Sequence, residues 1–239
     1  MKNLKQSMIE AGRILYEKNL LAGFDGNISI RTEKGVWITA SESYKGFLKE
    51  EDLVLIDFSG KMLEGSRKAS SEAKLHLKIY EKRPDISHVI HAHPVKSTAL
   101  TIAGIPLIPC LTAEAYLLLG KVPLAPYQAP GSIGLASSIE RFVKQTNFFL
   151  LEKHGAGAFG NDFYTCIDRL EKIEALAEKT WLLLSAGIPI EKKVFTPKER
   201  KELNEIKKKA GFLNISCECT GNKCRLLKKA LKKQKKDLQ

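Results

Sequence analysis

The length, composition and charge of the chain exclude several classes of protein. With 239 residues, 44% of them apolar, the chain can bury a substantial core in one large or two small domains. It has no apolar run of about 18 residues that would predict a membrane span, and its first residues do not resemble a signal peptide. Five cysteines are too few for a secreted disulfide framework, so we expect a cytoplasmic protein.

The net charge of +12 is concentrated near the C-terminus. Residues 192–239 contain 16 Lys and Arg against 5 Asp and Glu, whereas residues 1–191 contain 23 against 22. Because the larger part is nearly neutral, the charge does not indicate a nucleic-acid-binding surface over the whole protein. Apolar density also falls after residue 190. We therefore predict a main domain at 1–190 and a basic, helical C-terminal extension at 191–239.

In chain order, the hydrophobic periodicity predicts interleaved helices and strands. The predicted helices are 2–19, Ser70 to about Lys82, 95–102, 113–119, 132–145, 163–186 and one that begins at Thr196-Pro197. The predicted strands are 27–31, 35–39, 53–58, the segment around the histidines at 88–93, and two strands around a tight turn in 148–159. This interleaving is typical of a layered α/β domain in which helices cover a sheet.

Three of the five histidines lie in the segment SHVIHAHP. Alternate side chains of a strand point to opposite faces, so His91 and His93 share a face while His88 lies on the other. Two adjacent imidazoles form half of a transition-metal site, although a plain surface strand has the same spacing. His154 is the candidate for a third ligand, because it follows an apolar strand and the glycines after it allow a sharp turn.

Glu72 is the candidate carboxylate. It follows KASS at the start of a predicted helix, where Ser70 and Ser71 can act as caps. One interpretation is that Glu72 only complements the helix dipole. The other is that it lies beside a metal and abstracts a proton next to a polarised carbonyl. The serines and exposed amides of a helix start also favour an anion, for which phosphate is a reasonable candidate.

Four stretches, in the same order and spacing, resemble the class II aldolase/adducin family: GNISIR (26–31), ASSEAKLHLKIY (69–80), HVIHAHP (88–94) and KHGAGAFG (153–160). The segment APYQAPGSIGLA (125–136) is similar to the family's proline- and glycine-containing loop. The resemblance extends over about residues 5–187. It implies a three-layer α/β/α fold whose central sheet is mixed or mostly antiparallel and is flanked by helices.

The resemblance also implies a metal site and a phosphate site. His91, His93 and His154 match the zinc-binding histidines, with one Zn²⁺, or another divalent transition metal, per subunit. Glu72 matches the acid/base glutamate, which can also ligate the resting metal. The residues that match the family's phosphate site are Gly26, Asn27, Ser41, Ser70 and Ser71.

One position departs from the family pattern. Glu42, in the loop Thr39-Ala40-Ser41-Glu42, stands where the family commonly has a glycine. A carboxylate near a phosphate dianion is electrostatically unfavourable unless it turns away or pairs with Lys45. The departure therefore bears on how phosphate is held and on which substrate is used.

The implied activity is that of a zinc-dependent lyase. The enzyme would cleave a ketose 1-phosphate, such as L-fuculose 1-phosphate, to dihydroxyacetone phosphate and an aldehyde through an enediolate. The alternatives on the same scaffold are methylthioribulose-1-phosphate dehydratase and L-ribulose-5-phosphate 4-epimerase. In the epimerase, the resembling motif has Asp at the position where this chain has Glu72. A further group must serve the aldehyde-side hydroxyl. Glu114 and Tyr116 are the candidates, although helix packing also explains Tyr116.

The expected partners follow from the same resemblance: a small phosphorylated sugar and further copies of the chain in a homotetramer. No membrane partner is expected, and no nucleic acid apart from a weak contact of the basic tail. A non-catalytic, adducin-like association module is a different hypothesis. Such modules lack a complete metal set, so the four candidate ligands favour the enzyme. We expect Cys217, Cys219 and Cys224 to be reduced and not to bind metal, and the lysine-rich end to be a solvated terminus or a basic amphipathic helix.

Overall fold

The computed structural model describes residues 2–211. Its α-helices are α1 (Lys2–Glu17), α2 (Ala73–Lys82), α3 (Val95–Ile102), α4 (Ile133–Ser138), α5 (Glu140–Val143), α6 (Phe163–Ser185) and α7 (Pro197–Lys209). Its strands are β1 (Asn27–Thr32), β2 (Gly35–Thr39), β3 (Leu53–Ile56), β4 (Met62–Glu64), β5 (His88–Ala92), β6 (Leu124–Ala125), β7 (Phe148–Leu151) and β8 (Gly155–Gly160). The predictions for the three C-terminal cysteines and the lysine-rich end lie outside the described residues.

The strands form one sheet in the order β4-β3-β2-β1-β5-β8-β7-β6. Every neighbouring pair is antiparallel except β6 and β7, which are parallel. This confirms the expected mixed, mostly antiparallel sheet. The histidine strand β5 lies between β1 and β8, with Asn27 opposite His91 on one side and Gly157 opposite His91 on the other.

Helices cover both faces of the sheet. On one face, Val36, Ile38 and Val89 share a buried apolar cluster with residues of α2, α4 and α5 and with the residue between α4 and α5. These residues are Leu75, Ile79, Leu135, Val143 and Ile139. On the other face, the ammonium of Lys5 in α1 lies 4.1 Å above the Trp37 ring. The rings of His88 and Phe163, at the start of α6, also meet there with centroids 4.6 Å apart. Alternation along β2 and β5 separates these two sets of side chains, and the three-layer α/β/α prediction is confirmed.

The described chain divides into two compact units. The first comprises residues 2–95 and 124–170 and contains the whole sheet; the second comprises residues 96–123 and 171–211. The buried cluster of the second unit contains Ile108, Cys110, Tyr116, Ile190 and Val194. The predicted boundary after residue 190 falls inside this unit, and a separate extension from 191 stays a prediction. Among the described helices, none has the length and hydropathy needed to span a membrane.

Two predicted helices differ from the structure, and the structure has short strands that were not predicted. The helix predicted at 113–119 is a single π-type turn, Ala115–Leu119, which ends at Gly120 with φ of 60°. The helix predicted at 132–145 is interrupted at Ile139, whose side chain is fully buried. The short strand β4 was not predicted, because its three residues are all exposed and have no alternation of apolar and polar side chains.

Helix α2 begins later than the predicted start at Ser70, and this affects the role of Glu72. The amide of Ser70 donates to the carbonyl of Thr39 at 3.2 Å, and Ala40 and Ala69 form an isolated antiparallel bridge. The segment before the helix is therefore extended, and α2 begins only at Ala73. Glu72 occupies the N-cap position without capping the helix, so its carboxylate is available for other contacts.

Candidate metal centre

His91 and His93 lie at the end of the central strand. His91 belongs to β5 and is completely buried, while His93 follows the last strand residue and its amide donates to the carbonyl of Leu20 at 3.0 Å. Their ring centroids are 4.8 Å apart. The strand alternation that predicted a common face for the two rings, and the opposite face for His88, is confirmed.

His154 reaches the same point from the turn between β7 and β8. In that turn Lys153 has φ of 58°, a left-handed conformation that makes the reversal tight. The amide of His154 donates to the carbonyl of Leu151 at 3.2 Å, which holds the turn. The centroid of the His154 ring lies 4.8 Å from that of His91 and 5.0 Å from that of His93.

Glu72 completes the group from the other side. Its Oε2 atom lies 2.7 Å from Nδ1 of His91, and its Oε1 atom lies 3.3 Å from Nε2 of His154. The amide of Asn27 donates to Oε2 at 2.9 Å. One donor atom from each of the four residues lies within 4.8 Å of the others. The structure thus brings together Glu72, His91, His93 and His154, as the sequence predicted.

The donor atoms of this cluster fit a divalent cation. Glu72 Oε1, both nitrogens of His91, Nε2 of His93 and Nδ1 of His154 are buried and have no hydrogen-bond partner. The short distance between Nδ1 of His91 and Oε2 of Glu72 therefore brings two potential metal-ligand atoms together without the geometry of a hydrogen bond. Each unpartnered buried polar atom costs about 1–3 kcal/mol, a cost that a bound ion removes. Three imidazoles and a carboxylate suit Zn²⁺ and other divalent transition metals.

The protonation states of the cluster suit metal binding as well. Burial, with smaller effects from His91 and His154, lowers the pKa of His93 to about 4. Burial and His91 also lower the pKa of His154. Burial by itself raises the pKa of Glu72, but His91 and the Asn27 amide outweigh it and hold this pKa below its usual value. At neutral pH these two imidazoles are neutral and the carboxylate is ionised, and these are the forms that ligate metals.

Asp25 is a further residue of the cluster that the sequence analysis did not identify. Its Oδ2 atom lies 3.4 Å from Nδ1 of His93, on the opposite side of the ring from the unpartnered Nε2. A carboxylate at the second ring nitrogen orients a metal-binding histidine and fixes its tautomer. Asp25 precedes Gly26 in the loop before β1, and its sequence position alone carries no signal for this contact.

A cavity of about 580 Å³ opens beside the cluster, with Glu72, His93 and His154 in its wall. The predicted phosphate residues all line it: Gly26, Asn27, Ser41, Ser70 and Ser71. The exposed Lys68 lines it too and adds a positive charge. The cavity therefore combines hydroxyl, amide and ammonium donors with the candidate cation site, and the phosphate role of these residues stays a prediction.

Glu42 also lines this cavity, and its backbone conformation is unusual for a residue other than glycine. Its φ of 56° lies in the left-handed region that favours glycine, and its side chain is exposed. Lys45 donates instead to the carbonyls of Phe24, at 2.9 Å, and Ser43, at 2.6 Å. Burial lowers the pKa of Lys45 to about 8. The ammonium of Lys45 therefore contacts the backbone and does not pair with Glu42.

Glu114 and Tyr116 lie elsewhere, in the second compact unit, and do not line this cavity. The hydroxyl of Tyr116 donates to Oδ1 of Asn204 at 3.0 Å, and the ring packs edge-on against Phe195. These contacts support the packing role of Tyr116. The catalytic role predicted for either residue stays a prediction.

His76 is a second residue near the cluster that was not predicted from the sequence, because it lies in the middle of a helix. It is fully buried, and its Nε2 atom lies 2.5 Å from Oδ1 of Asn27, the residue that binds Glu72. A signal was present: residues 72 and 76 are four apart, a spacing that places both on one side of a helix. The sequence contained no sign of the Asn27 contact that connects them.

The fold and the site together define a class of protein: a three-layer α/β domain with a His₃Glu cluster that could hold a metal ion beside a polar cavity. The sequence matches the family described as Class II Aldolase and Adducin N-terminal domain over residues 6–181. The chain therefore belongs to the class II aldolase/adducin family.

Individual relatives of the chain have different enzymatic activities. The chain is 34% identical over 180 residues to the L-fuculose phosphate aldolase of Methanocaldococcus jannaschii, a match that covers 75% of this chain and 95% of that protein. It is 32% identical over 180 residues to the 3-oxo-tetronate 4-phosphate decarboxylase of Haemophilus influenzae, covering 73% of this chain and 85% of that protein. These relatives indicate an enzyme of the lyase class.

Solved structures agree with this assignment of family and fold. An L-fuculose 1-phosphate aldolase superposes with a TM-score of 0.76 at 30% identity, covering 87% of this chain and 97% of that chain. The L-fuculose-1-phosphate aldolase from Thermus thermophilus superposes with a TM-score of 0.69 at 26% identity, covering 78% of this chain and 97% of that chain. The class II aldolase fold expected from the resemblance is confirmed.

Proposed function

We propose that this protein is a zinc-dependent aldolase that cleaves a ketose 1-phosphate, such as L-fuculose 1-phosphate, to dihydroxyacetone phosphate and an aldehyde. The observation that carries the proposal is the convergence of Glu72 and three histidines, with unpartnered donor atoms, in the wall of a cavity that also contains the predicted phosphate residues. The aldolases among the relatives support the reaction type.

The ion and Glu72 have separate tasks in this proposal. When bound by the three histidines and Glu72, the metal supplies Lewis-acid polarisation of the substrate carbonyl and the neighbouring hydroxyl. Cleavage of the bond between C3 and C4 leaves its electron pair on C3 of the dihydroxyacetone phosphate half. The C4 hydroxyl would lose its proton to solvent as its oxygen becomes the aldehyde carbonyl. Glu72, after taking up a proton from solvent, would deliver it to C3, and in the reverse direction would remove it.

The phosphate end of the substrate would be held by hydrogen-bond donors of the cavity wall. Ser70 lies beside Glu72, since its Oγ accepts from the amide of Glu72 at 3.3 Å. The hydroxyl of Ser71 is exposed, whereas that of Ser41 donates to the carbonyl of Ala69 at 2.9 Å and must rotate to reach a ligand. Holding the phosphate here would place the carbonyl end of the substrate toward the histidines.

The test is a product assay with L-fuculose 1-phosphate. We expect dihydroxyacetone phosphate and an aldehyde to form, formation to stop in excess chelator, and Zn²⁺ to restore it. Full activity in excess chelator would refute the metal role. Formation of a dehydrated or epimerised product from methylthioribulose 1-phosphate or L-ribulose 5-phosphate, without cleavage of any ketose 1-phosphate, would replace the aldolase with one of those alternatives.

Two variants make the assay specific to the cluster. Glu72→Gln should retain metal on the three histidines but slow proton exchange at C3 by about 10²-fold or more. His88→Ala is the matched histidine control, because His88 packs on Phe163 across the sheet from the cluster. It should leave both metal content and activity unchanged. Equal loss of metal in His88→Ala and His154→Ala would contradict the assignment of the ligands.

A second candidate activity follows from the Haemophilus influenzae relative. Decarboxylation of a 3-oxo acid, like aldol cleavage, leaves an electron pair on a carbon next to a carbonyl, so the same ion and the same carboxylate serve both reactions. Release of CO₂ from a 3-oxo-tetronate 4-phosphate, in the absence of aldol cleavage, would favour this candidate.

A further inference from the structure

A continuous chain of hydrogen bonds leads from Tyr80 to the carboxylate of Glu72. The Tyr80 hydroxyl lies 2.8 Å from Oγ of Ser29, and that oxygen lies 2.6 Å from Nδ1 of His76. Nε2 of His76 lies 2.5 Å from Oδ1 of Asn27, whose Nδ2 donates to Oε2 of Glu72 at 2.9 Å. The hydrogen bonds alternate between α2, which contains Tyr80 and His76, and β1, which contains Ser29 and Asn27, and end at Glu72 just before α2.

All five side chains of this chain are buried, with relative exposures of 2% for Tyr80, 0% for Ser29 and His76, 3% for Asn27 and 6% for Glu72. Water therefore has little access to replace a missing partner. In such surroundings an unsatisfied donor or a pair of facing acceptors is costly, so each group must present the correct hydrogen-bonding end to its neighbour.

The carboxylate determines the direction of the bonds from Glu72 as far as Ser29. An ionised Glu72 only accepts, so the NH₂ end of Asn27 faces it and Oδ1 of Asn27 faces His76. An acceptor at Oδ1 requires a proton on Nε2 of His76. A neutral imidazole with its proton there has a lone pair on Nδ1, which accepts from the Ser29 hydroxyl. The Tyr80 hydroxyl lies 2.8 Å from Ser29 Oγ and also donates to the carbonyl of Ser87 at 3.1 Å, so its single proton is shared between these two acceptors. The protons of Ser29, His76 and Asn27 all point toward Glu72.

We propose that His76 is a positioning residue for Glu72. Its Nε2–H holds the Asn27 amide in the one orientation that donates to Oε2, and this leaves Oε1 without a hydrogen bond, beside His154 and the other ligand atoms. His76 touches neither substrate nor ion in this arrangement. Its effect on catalysis rests on the proposed function, whereas its effect on the tautomer and on the metal site does not.

The reverse arrangement shows why His76 matters. With the proton on Nδ1, Nε2 would be an acceptor facing Oδ1 of Asn27, and the amide would rotate to relieve the repulsion. Its carbonyl would then face the Glu72 carboxylate, an equally unfavourable pair. The chain therefore transmits the state of one imidazole, through one amide, to a carboxylate that His76 does not contact.

The tautomer is tested directly on the wild-type protein labelled with ¹⁵N-histidine. Long-range ¹H–¹⁵N spectra distinguish protonation at Nε2 from protonation at Nδ1, and the His76 signals are assigned by their loss in His76→Gln. We expect the Nε2–H form from pH 6 to 8. The Nδ1–H form, or a positively charged ring in this range, would overturn the proposal whether or not the protein is an aldolase.

A matched pair of variants tests the effect on the site. In His76→Gln the amide reaches the position of Nε2 and can donate to Asn27; in His76→Asn the shorter amide reaches only the position of Nδ1 and Ser29. Loss of an outer partner of a metal ligand typically costs 10–100-fold. We expect His76→Asn to lower Zn²⁺ affinity and kcat within this range, and His76→Gln to remain within about 3-fold of wild type.

Separate measurements distinguish a failure of the His76 proposal from misfolding of the variants and from a failure of the proposed aldolase activity. Circular dichroism and thermal unfolding show whether each variant folds, and the tautomer measurement decides the proposal if neither does. Folded variants that bind Zn²⁺ equally well, or equally poorly, would contradict the positioning role. If the wild type cleaves no ketose 1-phosphate, the proposed function fails, while the tautomer and the Zn²⁺ affinities still test His76.

Discussion

A Cβ atom at Gly155 would lie 2.8 Å from Cδ2 of His93 and 2.3 Å from the carbonyl oxygen of Ala92. The first residue of β8 therefore passes the end of β5 at a distance that no side chain permits. We predict that Gly155→Ala displaces the His93 ring and the strand end, lowers Zn²⁺ affinity by about 10-fold or more, and lowers the free energy of unfolding by about 1–3 kcal/mol. Zn²⁺ titration and denaturant unfolding measure the two effects.

Gly160→Ala is the control on the same strand. Its nearest contact at the Cβ position would be Nη1 of Arg169, at 2.9 Å, the far end of a side chain that would have to shift from its hydrogen bond to the carbonyl of Phe159. Zn²⁺ affinity should stay at the wild-type value. Normal Zn²⁺ binding in Gly155→Ala would show that the close approach of the two strands does not constrain the site.

The left-handed backbone of Glu42 has a measurable cost. A non-glycine residue at φ of 56° is strained by about 1 kcal/mol, so Glu42→Gly should raise the free energy of unfolding by about that amount. Because the variant also removes a carboxylate from the cavity wall, it should bind inorganic phosphate more tightly. Denaturant unfolding and phosphate titration by calorimetry test both expectations.

Glu42→Gln separates charge from backbone strain. It retains the Cβ atom and the strained φ but removes the charge, so we expect tighter phosphate binding without the gain in stability. If phosphate affinity is the same in wild type, Glu42→Gly and Glu42→Gln, the carboxylate does not act on the cavity.

His76 should make stability depend on pH in a defined window. Burial lowers its pKa in the folded protein to about 3, from 6.5. Between these values the unfolded chain binds a proton that the folded protein does not, so the free energy of unfolding falls as pH decreases, by about 1.4 kcal/mol per pH unit. The contribution is fully present above pH 6.5. Unfolding of wild type and His76→Gln at pH 7 and 4.5 should show a steeper loss for the wild type.

Local patterns accounted for most of the fold. Alternation in β5 predicted correctly that His91 and His93 share a face and that His88 does not, because side-chain direction in a strand depends only on residue parity. The start of α2 was misplaced, because the extended segment before it is held by a long-range pairing with Thr39 and Ala40. Periodicity does not detect such a pairing.

The features of the candidate metal site also divide into those set by the local sequence and those set by the tertiary structure. The sequence by itself determined the two adjacent imidazoles, a third histidine on a plausible turn and a carboxylate at a helix start, since each depends on residue type and near neighbours. Only the tertiary structure decided that these four meet, that Asn27 bridges His76 and Glu72, and that Glu114 lies in the other compact unit. Those relationships join residues far apart in the chain, and their geometry arises from the pairing of strands and the packing of helices.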